Sequence, residues 1–213
     1  MLELDAITLA TPDRVLMRRL SARVADGEVL TVMGESGSGK SSLLAMICGT
    51  LPDVFIANGR VVLDDQDITD WPTARRRVGM LFQDDLLFPH MTVLDNLLFA
   101  LPADGSRADR VSAAESALQS AGLEGHGARR PASLSGGQRA RVSVLRALLA
   151  QPRALLLDEP FSKLDAGLRQ RFRAFVFERI AQQGIPAVLV THDPQDMPAG
   201  GRVIELQTEP EDA

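Results

Sequence analysis

A single cysteine, Cys48, in 213 residues excludes any internal disulfide, and nothing in the chain points to an oxidising compartment. It lies among Leu43, Leu44, Met46 and Ile47, where a thiol serves as a small buried hydrophobe. Long apolar runs are missing too. None approaches the ~18 residues that a membrane-spanning helix needs. The first ten residues, MLELDAITLA, lack the charged-then-apolar layout of a signal peptide, so the expected location is the cytoplasm. A basic excess is also lacking. The net charge of -5 argues against a nucleic-acid partner. The clusters Arg75-Arg76-Arg77 and Arg129-Arg130 read as solvated helix ends or loops. There are no repeats and no low-complexity linkers.

What remains is an ordinary globular composition, 45% hydrophobic and 24% charged, in a length that suits one domain with a small subdomain. Leu2 to Leu9 alternates and Val15 to Val24 is broadly apolar, so both read as strands, followed by a turn at Asp26-Gly27-Glu28. Val29 to Met33 is a short apolar strand ending at a glycine, and a helix opens at Lys40. Val61 to Leu63 and Val78 to Phe82 are further strands. Thr92 caps a helix through Ala100, Arg107 to Ser120 is a helix ended by Gly122, and another follows Ser135 and stops before Pro152. Ala154 to Leu157 and Ala187 to Val190 are wholly apolar, as strands of parallel sheets are, and Val203 to Leu206 is a last strand. Between them, Leu168, Phe172, Phe175, Val176 and Ile180 recur at helical spacing over Ala166 to Gln182 and form a core face. Strands alternating with helices imply an α/β fold with a mostly parallel sheet and an N-terminal antiparallel β portion. The expected division is a core from residues 1–83 and 151–213 with an inserted α-helical subdomain at 84–150, all within one domain.

Gly34-Glu35-Ser36-Gly37-Ser38-Gly39-Lys40-Ser41, followed by Ser42, fits G-x-x-x-x-G-K-S/T. Glycines let a backbone wrap phosphates, a lysine reaches the outer phosphates, and a serine hydroxyl can ligate Mg²⁺. The motif follows a strand and opens a helix, as that mechanism requires. Leu155 to Pro160 supplies the second half: Asp158, at a buried strand's end, can hold Mg²⁺ through water. Glu159 beside it can polarise an attacking water. Gln83 ends one strand and can contact metal or water, and His192 ends another, where it can contact the outer phosphate. Asp165 reads as the N-cap of the next helix. A second Ser-Gly-Gly segment, at Ser135, again precedes a helix, which makes it another place for an anion.

Together these pieces resemble the ATP-binding subunit of an ABC transporter, a P-loop NTPase, with motifs in matching order. Walker A falls at 34–41, the Q-loop at Gln83 and the signature at Leu134-Ser135-Gly136-Gly137-Gln138. Walker B falls at 154–158 with Glu159, the D-loop at 162–165, and the switch histidine is His192. The resemblance covers nearly the whole chain. The stretch Leu81 to Val93, LFQDDLLFPHMTV, narrows it to importer ATPases such as those for maltose, polyamines, sulfate, ferric iron and thiamine. The short length, Pro72-Thr73-Ala74 and Ser135 to Arg141 look nearest to the thiamine-type transport ATPases of bacteria.

The resemblance implies ATP and Mg²⁺ as ligands and a head-to-tail homodimer closed by ATP, in which Ser135-Gly136-Gly137 covers the γ-phosphate of the nucleotide held by the other chain. It implies integral membrane permease subunits, an extracytoplasmic solute-binding protein, and a peripheral position on the inner face of the cell membrane. Residues 84–100 would dock the permease, with Phe88, Met91, Val93 and Leu97 as candidate contacts. Three departures stand out. The family's adenine-stacking aromatic is replaced by Ala10-Thr11-Pro12-Asp13-Arg14 in a chain without tyrosine, which leaves Arg14 as the substitute. Lys163 stands where a small D-loop residue is common, and the chain ends at Ala213 without the regulatory domain that many importers append. Other readings are an exporter or lipoprotein-release ATPase, or a soluble ABC ATPase outside transport. The importer-like stretch speaks against the former, and the lack of basic extensions and long insertions against the latter.

Overall fold

A computed structural model describes residues 1–206, and the chain end at Ala213 lies outside the described residues. The chain divides into two compact units, one of Met1–Met80, Arg153–Glu159 and Phe177–Ala213, the other of Leu81–Pro152 and Pro160–Val176.

The first unit holds two sheets. The antiparallel one has the order β2-β1-β4-β5, from β1 (Leu2–Ala10), β2 (Val15–Val24), β4 (Ile56–Leu63) and β5 (Gln66–Asp67). Leu2, Leu4, Ile7 and Leu9 of β1 are all buried, although the step from Leu4 to Ile7 breaks a period of two. A bulge re-phases the strand: Ala6 takes φ +51° and the register shifts on both sides. The second sheet has the order β6-β7-β8-β3-β9, from β3 (Val29–Gly34), β6 (Val78–Leu81), β7 (Ala154–Asp158), β8 (Ala187–Val190) and β9 (Arg202–Leu206). The β3–β8, β3–β9 and β7–β8 pairings are parallel. Val32 faces Val190, which faces Asp158, so β3, β8 and β7 end in one row. This is the carboxyl edge at which open parallel sheets bind ligands. Helix α1 (Lys40–Cys48) packs into the same core through Leu43, Leu44 and Ile47, and Cys48 is buried with them.

The expected strand at Val61 begins earlier, at Ile56, because its polar half pairs with β1 from Ala10 to Asp5. The four-residue helix α2 (Thr73–Arg76) has no signal in the pattern. The larger correction is Arg76. It is not a solvated helix end: it is 5% exposed and its guanidinium donates to Met46 O (2.6 Å), Ile47 O (3.0 Å), Trp71 O (2.8 Å) and Thr69 O. Two of those acceptors are carbonyls of the last turn of α1, at the negative end of the helix dipole; Met46 O also accepts from Gly49 N–H at 3.2 Å. Gly49 ends α1 with φ +81°, and a Cβ there would lie 2.5 Å from Arg76 Nε. Only glycine suits both the left-handed backbone and the guanidinium against it.

The second unit is helical: α3 (Val93–Ala100), α4 (Arg107–Ser120), α5 (Gly136–Leu149) and the first part of α6 (Ala166–Gln183). Each of the first three starts at a capping box, Thr92 with Asp95, Ser106 with Asp109 and Ser135 with Gln138. Val93, Leu97, Leu118, Val142 and Leu145 fill their common core. Val93 and Leu97, expected as docking contacts, are therefore core residues; Leu86 and Phe99 are the large apolar side chains exposed in that segment, at 54% and 65%.

Candidate functional site

The loop from Gly34 to Gly39 leaves β3 and turns directly into α1. Gly39 caps that helix with φ +90°, and a Cβ there would come within 3.1 Å of Leu16 Cβ, so a larger residue is excluded by strain and by space. Lys40 is buried, yet its Nζ donates to Gly34 O (2.8 Å) and Glu35 O (2.6 Å). The ammonium is thus held over the loop by two carbonyls that it can exchange for phosphate oxygens. Ser36 and Gly37 are exposed at the loop's tip, whereas Ser38 is turned inward at 1% exposure. Ser38 offers a ligand its backbone rather than its hydroxyl.

Two acids and a histidine close the site. Ser41 Oγ lies 3.5 Å from Asp158 Oδ1 at the end of β7. Burial, and then the neighbouring Glu159 carboxylate, hold the Asp158 carboxyl above its ordinary 3.8, while Ser41 and Lys40 pull the other way. A buried acid that resists ionisation is a site that gains from a cation. Glu159 adopts φ +45°, left-handed backbone that a glutamate avoids, and its N–H donates to Val190 O at 3.0 Å. Its Oε1 sits 3.3 Å from Nδ1 of the exposed His192. The turn that carries His192 is braced beneath: Thr191 Oγ1 donates to Asp196 Oδ2 at 2.7 Å, both buried, and Asp193 N–H donates to Thr191 Oγ1 at 3.1 Å. Sequence reasoning missed this bracing pair, whose only trace is a Thr-x-Asp turn pattern.

Loop, Glu159 and His192 line one cavity of about 450 Å³, within the range of small-molecule sites. Thr11, Leu16 and Phe55 complete its wall, and the last two were not foreseen. Arg14 donates through Nη2 to Gly37 O at 2.9 Å, at the exposed tip of the loop. The cavity fits a phosphate chain: it has free-tipped backbone, a fixed cation, and an acid and hydroxyl at the helix start. Among the described residues, no three of His, Cys, Asp and Glu cluster as a metal site. Ser41 Oγ and Asp158 Oδ1 are oxygen donors of the kind Mg²⁺ takes, and they stand together at the start of α1.

The remaining expected site residues belong to the second unit. Gln83 is exposed just past β6 and lines a smaller cavity of about 150 Å³ with Asp84, Asp85, Gly136, Arg139 and Lys163. Lys163, the departure in the D-loop, pairs with Asp84 at 2.5 Å, and Arg139 pairs with Asp85 at 2.8 Å. Leu134 is buried in the helical core. Ser135 and Gln138 cap α5 reciprocally: Gln138 N–H donates to Ser135 Oγ (3.3 Å) and Ser135 N–H to Gln138 Oε1 (2.9 Å). Gln138 Nε2 also meets His126 Nε2 at 3.3 Å. The N–H groups of Gly136 and Gly137, in the same first turn, have no intrahelical acceptor. Asp165 Oδ1 accepts from Leu168 N–H at 3.0 Å and caps α6.

The chain is similar to known proteins. Residues 17–162 match the family described as ABC transporter. The uncharacterized ABC transporter ATP-binding protein YnjD of Escherichia coli K12 is 48% identical over 206 residues, covering 97% of this chain and 95% of that protein. The Fe(3+) ions import ATP-binding protein FbpC of Agrobacterium fabrum is 42% identical over 190 residues, 88% of this chain and 53% of the relative. The chain thus spans about half the length of that ferric iron relative. Among solved structures, the ATP-binding cassette MJ0796, in a dimeric post-hydrolysis state bound to ADP and Pi, aligns with a TM-score of 0.79. The identity is 29%, and the match covers 99% of this chain and 97% of that one.

Proposed function

The chain belongs to the ABC transporter family as an ATP-binding subunit of a class that hydrolyses ATP, and from that premise we propose that it powers import of a small solute or ion through a separate permease. The observation that carries this reading is the single cavity in which Lys40, the Gly34–Ser42 loop, Glu159 and His192 meet at the carboxyl edge of the parallel sheet. Lys40 and the loop N–H groups bind the phosphates. Ser41 and Asp158 would hold Mg²⁺, which when bound neutralises charge on the phosphate oxygens; Gln83 is the residue of the second unit that this reading assigns to the metal or the attacking water. Glu159 takes a proton from the attacking water, and His192, 3.3 Å away, orients that carboxylate.

Two units form one ATPase domain in this reading. Leu134 to Gln138 and Asp165 serve the nucleotide held by a second copy of the chain, an arrangement supported by the dimeric state of the MJ0796 cassette. Closed two-fold pairing then yields two equivalent sites. No helix among the described residues is long and apolar enough to cross a membrane, so the permease is a partner, reached from the cytoplasmic side. An extracytoplasmic solute-binding protein delivers the cargo. Import is favoured by the name of the ferric iron relative. Ferric ion stands beside thiamine as a cargo reading, with selectivity residing in the permease and the binding protein.

The test is Glu159→Gln. The amide keeps the shape but takes no proton, and a general base contributes about 10²–10⁴-fold. ATP binding measured by titration should persist, phosphate release should fall at least ~100-fold, and gel filtration with ATP should show a stable dimer. Wild-type turnover in this variant would sink the assignment.

A further inference from the structure

The cavity has two dissimilar parts. Its polar part is the phosphate-type loop of residues 34–42; the other is made by Thr11, Leu16 and the ring of Phe55. Phe55 reaches it from a segment with no motif. The chain leaves α1 at Gly49, turns so that Phe55 N–H donates to Pro52 O at 3.0 Å, and enters β4 at Ile56. Ile56 pairs with Ala10 across the antiparallel ladder. One residue beyond that pair, Phe55 and Thr11 therefore emerge together at the same sheet end. Val54 and Ile56, on either side of the ring, are each 57% exposed, so the rim is apolar as well.

Five other aromatics among the described residues pack away from this cavity. Phe161 and Phe172 stack edge-to-face, as do Phe88 and Phe99, all in the second unit. Trp71 packs on the core of the first unit. Arg14, at the β1–β2 turn, donates to Gly37 O at 2.9 Å.

We propose that Phe55 is the platform on which the nucleotide's base stacks. The inference rests on the nucleotide reading above. A phenyl ring has no donor or acceptor, so it attracts any base through its face and contributes affinity without distinguishing adenine from guanine. Removing it should weaken ATP and GTP alike and leave a ligand without a base untouched.

Titration calorimetry with Mg²⁺ and three ligands, ATP, GTP and tripolyphosphate, tests this on the wild type, Phe55→Ala, Phe55→Leu and Phe55→Trp. Base–aromatic stacking of ~1–3 kcal/mol corresponds to about 5- to 150-fold in affinity. Phe55→Ala and Phe55→Leu should each lose that much for both nucleotides, Phe55→Trp should keep or tighten them, and tripolyphosphate should bind all four proteins equally. Leucine fills similar apolar space without a ring face. If Phe55→Leu binds ATP like the wild type, or if tripolyphosphate weakens in step with ATP, the platform is refuted. Lys40→Ala separates the two levels. ATP binding lost in that variant but intact in the Phe55 variants sinks the platform alone. A wild type that binds neither ATP nor tripolyphosphate sinks the nucleotide reading with it.

Discussion

Replacing Gly137 by alanine puts a methyl group where the side chain of Leu168 already sits. The added Cβ would lie 2.5 Å from Leu168 Cδ1, 2.6 Å from Cδ2 and 3.1 Å from Cγ, against a favourable carbon–carbon separation of about 3.5–4.0 Å. Moving the two methyls leaves Cγ too close, so Leu168 must shift as a whole. It is half-buried at the start of α6, and overpacking of this kind costs ~1–3 kcal/mol. Replacing a helical glycine by alanine gains up to ~1 kcal/mol at either position of the pair Gly136 and Gly137, so at ~2–4 °C per kcal/mol for a chain of this size Gly137→Ala should melt roughly 2–12 °C below Gly136→Ala. Gly136 is the internal control. It opens the same helix, but a Cβ there meets nothing nearer than Arg139 Nη2 at 4.0 Å, so alanine should be tolerated. Thermal unfolding followed by circular dichroism compares the two single variants, and Gly137→Ala with Leu168→Ala completes a double-mutant cycle. Equal melting temperatures for the two alanine variants, or no recovery on trimming Leu168, would refute the reasoning. The same geometry selects the probe for site sharing. A carboxylate at Gly136 tests the partner's phosphates without disturbing this chain's packing, whereas one at Gly137 does both. Mixing Gly136→Asp with Lys40→Ala should regain ATPase activity above the sum of the two, because a mixed dimer contains one undamaged pairing of loop and signature.

Asp158→Asn removes a carboxylate whose pKa the fold raises, mainly by burial and by Glu159. The wild type bears that penalty where the group is ionised, above its folded pKa, and loses it below the ordinary 3.8. The variant should therefore melt higher than the wild type near neutral pH, by about 2–4 °C for each ~1 kcal/mol relieved, and the gap should close as pH falls toward that value; a gap that widens on acidification would contradict the sign. Arg76→Ala removes the donor to four carbonyls, of which Met46 O keeps Gly49 N–H while the buried Ile47 O and the half-buried Trp71 O and Thr69 O lose theirs, at ~1–3 kcal/mol each. The expected loss is on the order of 3 kcal/mol or more, roughly 6–12 °C in Tm. Arg76→Lys should recover only part, since an ammonium cannot span the same acceptors. An unchanged Tm for Arg76→Ala would show that the clamp is dispensable.

The parts of the fold that read directly from the sequence are those set by local chemistry. The glycine-rich loop, the wholly apolar strands at Ala154 and Ala187 and the caps at Thr92 and Ser135 each carry their cause within a few residues. What escaped depends on distant backbone. Arg76 is buried because α1, thirty residues earlier in the chain, presents its last carbonyls to it. The first half of β4, Ile56 to Arg60, is mostly exposed and lacks an alternating apolar pattern, and is a strand because β1 lies beside it. Asn96 is invisible as a hub, yet it is fully buried and accepts from Phe88 N–H (2.8 Å) while donating to Phe88 O (3.2 Å) and Thr92 O (2.9 Å). Phe55 belongs to no motif; its place follows from where the ladder between β1 and β4 ends.

The left-handed backbone of Glu159 sets stability against activity at one residue. The position has φ +45° and is followed by Pro160, which narrows its options further. Glycine would be more comfortable there and glutamate less, by ~1 kcal/mol or so. Selection for a robust fold alone would drift toward glycine at this site. Under the proposed mechanism, selection for turnover opposes it, because the carboxylate then has to stand beside His192. Any copy of this fold that no longer turns over nucleotide is thus free to lose the acid first, and to gain thermal stability in doing so.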